Sequence, residues 1–194
     1  MTLPIILASG SKQRKILMDS FGFDYQIIPA DIDEKGIRDK NLKIRVKKIA
    51  VAKAREVAKN HQGIIIAADT FCSCNGVVLE KPKTLSEAKE MLKLQSNHAG
   101  VCYTGFCYID TAKKIYFSAS TITKYSFRSL SDFEIDTFVK NNPVLEWSAA
   151  FSFADTYQMT FIEKINGSLT AFRYGLPAEF LPLCFQKSGL KLIK

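Results

Sequence analysis

The feature that most constrains the fold of this chain is an uninterrupted apolar segment, residues 64–68, which follows Gly63 and runs directly into Asp69. A short, continuous apolar run is typical of a strand buried on both faces, as in a parallel sheet covered by helices. No apolar run approaches the ~18 residues that a membrane span needs. We therefore expect residues 64–68 to form a buried strand of an α/β domain.

The rest of the chain alternates helical spacing with short strand patterns, which predicts a mixed α/β sheet with flanking helices. A length of 194 residues allows one domain over 1–194, elongated into two lobes that share a cleft. The predicted helices are 12–21, 42–59, 84–94, 131–140, 155–163 and 177–185. The predicted strands are 3–8, 25–28, 64–68, 71–73, 77–79, 101–109 and 115–127, with a hairpin turn at Asn75-Gly76.

The net charge of the chain limits the possible binding partners only in part. The formal net charge of +8 suits an anionic partner, but it does not choose between nucleic acid, a membrane surface and a nucleotide. The lysines are spread along the chain, and no aromatic RNA-binding stretch or helix-turn-helix pattern stands out. We expect binding to neither nucleic acid nor a membrane, with a nucleic-acid-binding module as an alternative supported by the charge alone.

The five cysteines lack the spacing of a disulfide framework. Cys72 and Cys74 would share one face of a strand, but a zinc site usually needs a second such cluster, which the sequence lacks. Buried free thiols in a reducing compartment are the favoured interpretation. The N-terminal segment reads as a strand and not as a signal peptide. Both features predict a cytoplasmic protein.

The turn Ser9-Gly10-Ser11 joins the first predicted strand to the first predicted helix. Backbone N–H groups at a helix start bind phosphate oxygens with help from the helix dipole. Gly10 lets the backbone approach closely, the serines add hydroxyl donors, and Arg14 adds a positive charge one turn later. The spacing differs from that of a Walker A loop. An ordinary helix cap with a surface arginine explains this segment equally well.

Lys53 lies on the apolar stripe of the predicted helix 42–59, in line with Ile49 and Ala50. A lysine in that position either extends its ammonium to solvent or reaches a buried anion. The sequence leaves both open.

Two further charged positions stand at strand ends. Asp69 ends the predicted buried strand, where ligands of open α/β sheets gather and where a carboxylate can hold Mg²⁺. Capping of the next turn is the alternative. Lys81 precedes the rigid Pro82 and suits a phosphate contact, although most such lysines are solvated. The acidic loop with Asp31, Asp33 and Glu34 suggests metal binding, a base, or a solvated turn. Together these residues form the set that phosphoanhydride hydrolysis needs.

The chain resembles the Maf family of nucleoside triphosphate pyrophosphatases in motifs that keep their order over nearly its whole length. These motifs are Leu7-Ala8-Ser9-Gly10-Ser11-x-x-Arg14, Asp33-Glu34, Ala52-Lys53-Ala54, Ala68-Asp69-Thr70, Leu79-Glu80-Lys81-Pro82, Ile165-Asn166-Gly167-Ser168 and Gly175-Leu176-Pro177.

The resemblance implies two lobes around a central cleft, as in inosine triphosphatases, and a homodimer. It implies hydrolysis of a nucleoside triphosphate to a monophosphate and pyrophosphate with a divalent cation, Mg²⁺ or Mn²⁺. The implied roles are metal binding by Glu34 and Asp69, catalysis by Asp69 as base with Lys53, Lys81 and Glu34, and substrate binding by Ser9, Gly10, Ser11, Arg14 and Thr70.

The sequence Ala68-Asp69-Thr70 resembles the motif found at this position in the branch of the family that acts on dTTP and UTP. Two departures fall where the family reads the base. Gln13 replaces a common arginine, and Ala154 aligns with a glutamine of a glycine-rich family segment that residues 151–155 replace. The alternative implied by these departures is a weak or inactive nucleotide-binding relative that regulates cell division and septum formation.

Overall fold

The computed structural model describes residues 4–153 and 157–191. Its strands are β1 Ile5–Leu7, β2 Tyr25–Ile27, β3 Ile64–Cys74, β4 Val77–Leu79, β5 Ala99–Asp110, β6 Ile115–Phe127 and β7 Ile162–Asn166. Its α-helices are α1 Lys12–Asp19, α2 Leu42–Asn60, α3 Leu85–Gln95, α4 Asp132–Asn141, α5 Leu169–Tyr174 and α6 Leu181–Lys187. Short 3₁₀ helices lie at Glu34–Gly36, Val144–Glu146, Ser148–Ala150, Tyr157–Phe161 and Ala178–Phe180. Within these ranges, no helix is long and apolar enough to cross a membrane.

The strands form one mixed sheet in the order β2-β1-β3-β5-β6-β7, and β4 pairs with β3. β1 runs parallel to both neighbours, so that Ile6 lies opposite Gln26 on one side and Ile65 on the other. β4 pairs antiparallel with β3, and β7 pairs antiparallel with β6. The predicted α/β class, with a mixed sheet and flanking helices, is confirmed.

Apolar side chains cover both faces of the parallel strands, which explains why residues 64–68 show no polar alternation. On one face, Ile64 and Ile66 pack in a core with residues of α1 and α6. On the other, Ile65 and Ala67 pack against the apolar stripe of α2. Helices therefore cover both faces of the parallel strands, and β3 contributes side chains to both hydrophobic cores.

The chain divides into two compact units. The first comprises residues 1–69, 104–121 and 169–194, and the second comprises 70–103 and 122–168. The boundary falls inside β3, directly after Asp69, so that Asp69 and Thr70 are assigned to different units.

Some sequence-based predictions were wrong in detail. β3 does not end at Ala68 but continues through Asp69 to Cys74, because its distal half pairs with β4 across the Asn75-Gly76 turn. Both turn residues have positive φ, 49° and 78°, as the favoured two-residue hairpin turns require. Asp69 is therefore a residue inside a strand and not at its end.

The other differences concern helices. Ile16 in α1 and Leu85 in α3 are apolar but half exposed, at 51% and 50%. The predicted helix 155–163 is instead the 3₁₀ helix Tyr157–Phe161 followed by β7, and its Asp155 lies outside the described residues. The short helix α5 was not predicted.

The start of α4 contains a capping box formed by Ser131 and Glu134. The Ser131 side chain accepts from the Glu134 amide, and the Glu134 carboxylate accepts from the Ser131 amide. Glu134 also receives a 2.6 Å contact from Arg128. Hydrogen bonding from Arg128 and from Ser131 lowers the pKa of Glu134 from 4.5 to about 2.

We expect Glu134→Gln to destabilise the protein at neutral pH and to have little effect near pH 2. A carboxylate with a depressed folded-state pKa stabilises the fold fully above its unfolded pKa, and the contribution is lost as pH falls through the folded value. The difference should therefore shrink between about pH 5 and pH 2. Because the pair is partly exposed, we expect at most about 1 kcal/mol. Urea unfolding at several pH values measures it, and a pH-independent difference would contradict the assignment.

Candidate active site

The first unit brings the carboxyl ends of two parallel strands, β1 and β2, next to Asp69 in the middle of the parallel strand β3. β1 is followed by the turn Ser9-Gly10-Ser11, and β2 is followed by the loop that carries Glu34. Asp69 lies three residues beyond Ile66, the register partner of Leu7. Ligands of open α/β sheets bind outside the carboxyl ends of such strands. The fold therefore places these candidate residues where a ligand is expected.

The ammonium of Lys53 lies between two carboxylates. Its Nζ is 2.8 Å from Oδ1 of Asp69 and 2.9 Å from Oε1 of Glu34. The Lys53 and Asp69 side chains are nearly buried, and the Glu34 side chain is about half exposed, at 48%. Of the two alternatives for Lys53, the structure selects the buried anion, because α2 turns its apolar stripe and Lys53 toward β3.

Arg14 adds a second buried positive charge. Its NH1 donates to Oγ of Ser9 at 2.7 Å, and its Nε donates to the carbonyl of Gly175 at 2.9 Å. Burial lowers the pKa of Arg14, while the negative charges of Asp69 and Glu34 act in the opposite direction. An arginine remains charged despite such a shift. Arg14 is thus held in place by the turn and by the segment after α5, and it is not a surface side chain.

The turn itself is open at Gly10. A Cβ placed on Gly10 would meet, among the described residues, only the Pro29 side chain, at an ordinary 3.7 Å. The φ of Gly10 is not in the left-handed region. Ser11, the N-cap of α1, makes no side-chain cap, and its hydroxyl instead donates to Oε1 of Gln13 at 3.2 Å. The fold itself therefore does not require glycine at position 10.

Some of the predicted site residues lie outside the cluster around Lys53. Thr70 and Lys81 are in the second unit, where Lys81 is exposed between β4 and α3. Their participation in the site stays a prediction. Asp33 is exposed and caps the Glu34–Gly36 turn by accepting hydrogen bonds from the amides of Lys35 and Gly36. Ala154, aligned with the family's glutamine, lies outside the described residues.

The cysteines are free and buried, as the sequence predicts. Burial raises the pKa of Cys107 to about 12 and that of Cys184 to about 11, so both are thiols at neutral pH. The thiols of Cys72 and Cys102 contact each other, and this contact together with burial raises the pKa of Cys72. These groups are not nucleophiles in the arrangement described.

Comparison with known proteins shows which family the chain belongs to. The model of the Maf-like protein family matches residues 4–185. The chain belongs to the Maf family. It is 34% identical to a dTTP/UTP pyrophosphatase of Elusimicrobium minutum, over 96% of this chain and all of that relative. It is 32% identical to a dTTP/UTP pyrophosphatase of Clostridium tetani, over 96% of this chain and 98% of the relative.

A solved structure shares the fold. A HAM1 protein from Coxiella burnetii superposes with a TM-score of 0.54 at 15% identity, covering 96% of this chain and all of that one. At that identity the likeness concerns the fold only. The Maf motifs and the HAM1-like architecture thus agree with the α/β class read from the sequence.

The acidic residues of the Maf motifs can be tested as metal ligands. Among residues 4–153 and 157–191, no group of three or more His, Cys, Asp or Glu side chains is arranged to hold a metal ion. Glu34 and Asp69, however, direct carboxylate oxygens at one cation, the Lys53 ammonium. A hard divalent cation such as Mg²⁺ is commonly held by one or two carboxylates together with water and substrate phosphates. This pair fits such an ion.

Proposed function

We propose that this protein hydrolyses a nucleoside triphosphate between the α and β phosphates, releasing a monophosphate and pyrophosphate. The observation that carries the proposal is the buried contact of Lys53 with Asp69 and Glu34, beside Arg14 and Ser9. Placing charged side chains in a core is unfavourable unless they are paired, so a cluster of this kind near the ends of β1 and β2 suggests a functional site. Membership of the Maf family supports the same reaction class.

In the proposed reaction, Asp69 orients an attacking water and accepts its proton. The water oxygen bonds to the α phosphorus, the bond from that phosphorus to the bridging oxygen breaks, and pyrophosphate leaves. Lys53 and Arg14 stabilise negative charge on the phosphates, which is the main requirement of phosphoryl transfer. Ser9 and the backbone at Gly10 and Ser11 donate hydrogen bonds to the phosphates, and Lys81 and Thr70 are proposed as further substrate-binding residues.

The proposed cofactor is a divalent cation, Mg²⁺ or Mn²⁺, held by Glu34 and Asp69. Such an ion would neutralise phosphate charge when it is bound. Lys53 already lies between the same two carboxylates, so it would keep them oriented.

The proposed substrates are dTTP and UTP, because the relatives at 34% and 32% identity are dTTP/UTP pyrophosphatases. The chain also carries Ala68-Asp69-Thr70, which is similar to that branch. A homodimer and a cytoplasmic location stay predictions. No contact among the described residues favours the alternative of a non-catalytic regulator of septum formation.

A substrate panel tests the proposal. Purified protein is incubated with dTTP, UTP, the other canonical triphosphates and a set of modified ones, with Mg²⁺, Mn²⁺ or EDTA, and pyrophosphate release is measured. We expect turnover of dTTP and UTP that EDTA abolishes. Absence of turnover with every triphosphate in a folded sample would reject the proposed function, and turnover in EDTA would reject the cofactor alone.

Gly10→Ala should separate ligand binding from folding. The methyl group meets no close protein atom, so we expect an unchanged denaturation midpoint. It would lie where a phosphate approaches the backbone, so kcat/KM for dTTP should fall by about tenfold, equal to about 1.4 kcal/mol. Equal kcat/KM in both proteins would argue that no phosphate approaches this turn.

A further inference from the structure

The second unit contains a buried glutamine that no proposed catalytic role uses. Gln95, the last residue of α3, is 0% exposed. Its Nε2 donates to the carbonyl of Met91 at 2.9 Å and to that of Ala149 at 3.0 Å, and its Oε1 accepts from the hydroxyl of Tyr125 at 2.7 Å. Both donors and the acceptor of the amide are therefore engaged, which fixes its orientation.

The backbone that Gln95 holds is strained. Ala149 and Ala150 both adopt positive φ, 58° and 60°, although neither is a glycine. The left-handed region costs a residue with a Cβ roughly 1–2 kcal/mol. Both alanines are fully buried. Such conformations persist only where the surroundings impose them, and they cluster at functional sites.

The strained turn contacts both functional segments of the second unit. The amide of Ala149 donates to the carbonyl of Glu80 at 3.0 Å, directly before Lys81. The hydroxyl of Ser148 donates to the carbonyl of Thr70 at 3.2 Å, directly after Asp69. A short chain of contacts therefore leads from the Gln95 amide to the segment that carries Lys81.

A second feature shows that this arrangement is built into the sheet. Gly100 faces the Tyr125 ring so closely that a Cβ there would lie 2.4 Å from the ring. Glycine at position 100 thus makes room for the tyrosine whose hydroxyl orients Gln95.

We propose that Gln95 is a positioning residue, which holds the left-handed Ala149 backbone and through it fixes the Glu80-Lys81 segment for contact with the substrate's phosphates. This rests on the proposed function in that Lys81 is taken to bind phosphate. Gln95 itself touches no substrate. Its effect on the reaction passes through Lys81, and this distinguishes it from a residue that only stabilises the fold.

A double-mutant cycle with Gln95→Met and Lys81→Ala tests the proposal. Methionine keeps the length of the side chain and removes its hydrogen bonds. We expect Q95M to raise KM for dTTP by about five- to tenfold, and to add little when Lys81 is already alanine. A loss of folded protein alone would lower apparent kcat and leave KM unchanged. Additive effects of the two substitutions, or a K81A protein with wild-type KM, would overturn the proposal.

Asn142→Ala provides the matched control. Asn142 also donates a side-chain hydrogen bond to a helix carbonyl in the same unit, that of Phe138 at 2.8 Å, without contact to Glu80. N142A should leave KM unchanged. Hydrogen exchange gives a second readout, because the Ala149 amide should exchange faster in Q95M and at the wild-type rate in N142A. Equal protection in all three proteins would contradict the link to Glu80.

Two outcomes separate this proposal from the proposed function. If the wild type binds dTTP without hydrolysing it, the function fails, and the same cycle is run on Kd from thermal-shift titrations with dTTP. A wild type that binds no dTTP overturns both. If Q95M does not fold, Tyr125→Phe removes the hydroxyl that donates to Gln95 and that also contacts the Cys72 thiol, and it should show the same dependence on Lys81 with a smaller rise in KM. Additivity of Y125F with K81A would reject the proposal.

Discussion

Asp69→Asn should reduce pyrophosphate release from dTTP by at least about 100-fold, the lower range of what a positioned general base contributes. The amide has nearly the shape of the carboxylate but cannot accept the proton of the attacking water. It also removes one of the two negative charges that contact Lys53. Initial rates of pyrophosphate release at saturating dTTP and Mg²⁺ measure the effect.

The control for this substitution is Asp39→Asn. Asp39 also accepts a 2.8 Å contact from a lysine, Lys48, but this pair is more exposed and lies outside the cluster. We expect D39N to turn over at the wild-type rate. Circular dichroism and the thermal midpoint of each variant establish that the samples are folded. A folded D69N protein with wild-type turnover would exclude Asp69 as the base and the proposed mechanism with it.

Gly105→Ala should be the most destabilising of the glycine substitutions, with a loss of about 3 kcal/mol or more in the free energy of unfolding. Gly105 lies in β5, where α2 crosses the sheet. A Cβ there would lie 2.1 Å from the carbonyl oxygen of Val46 and 2.9 Å from the amide nitrogen of Lys47. These are backbone atoms of α2, so no side-chain rotation relieves the overlap.

Substitutions of two other glycines serve as comparisons for Gly105→Ala. Gly76 has a φ of +78° but open space around its Cβ position, so Gly76→Ala should cost only about 1–2 kcal/mol of backbone strain. Gly10→Ala should cost almost nothing. Urea denaturation should show the largest loss in the free energy of unfolding for G105A, a smaller loss for G76A and the smallest for G10A. A G105A protein as stable as G10A would show that α2 does not approach β5 as closely as described.

The part of the site in the first unit was largely predictable, because its signals are local. Lys53 interrupts an otherwise apolar stripe at helical spacing, and a buried charge requires a partner. Asp69 directly follows the apolar segment 64–68, and the neighbouring strands β1 and β2 end near polar loops. The α/β class was predictable for the same reason, since periodicity and burial on both faces depend on short segments.

The remaining features depend on contacts between residues far apart in sequence. β3 passes through Asp69 because it pairs with β4, which only the hairpin register determines. The carbonyl of Gly175 that holds Arg14 comes from a segment 161 positions away. The left-handed Ala149 carries no local signal, because alanine does not favour that conformation. Gln95, by contrast, interrupts the stripe formed by Ala88 and Leu92, so the reasoning applied to Lys53 would have found it.

The contact of Lys53 with Glu34 and Asp69, whose charges also act on Arg14, has a thermodynamic consequence for ligand binding. These four side chains carry as many positive as negative charges, and the cluster is balanced by itself. A divalent cation alone would leave surplus positive charge in a region of low polarity, and a triphosphate alone would leave surplus negative charge. Bound together, the cation offsets part of the negative charge of the triphosphate. Cation and nucleotide should therefore each increase the affinity for the other by the same factor, as linkage requires.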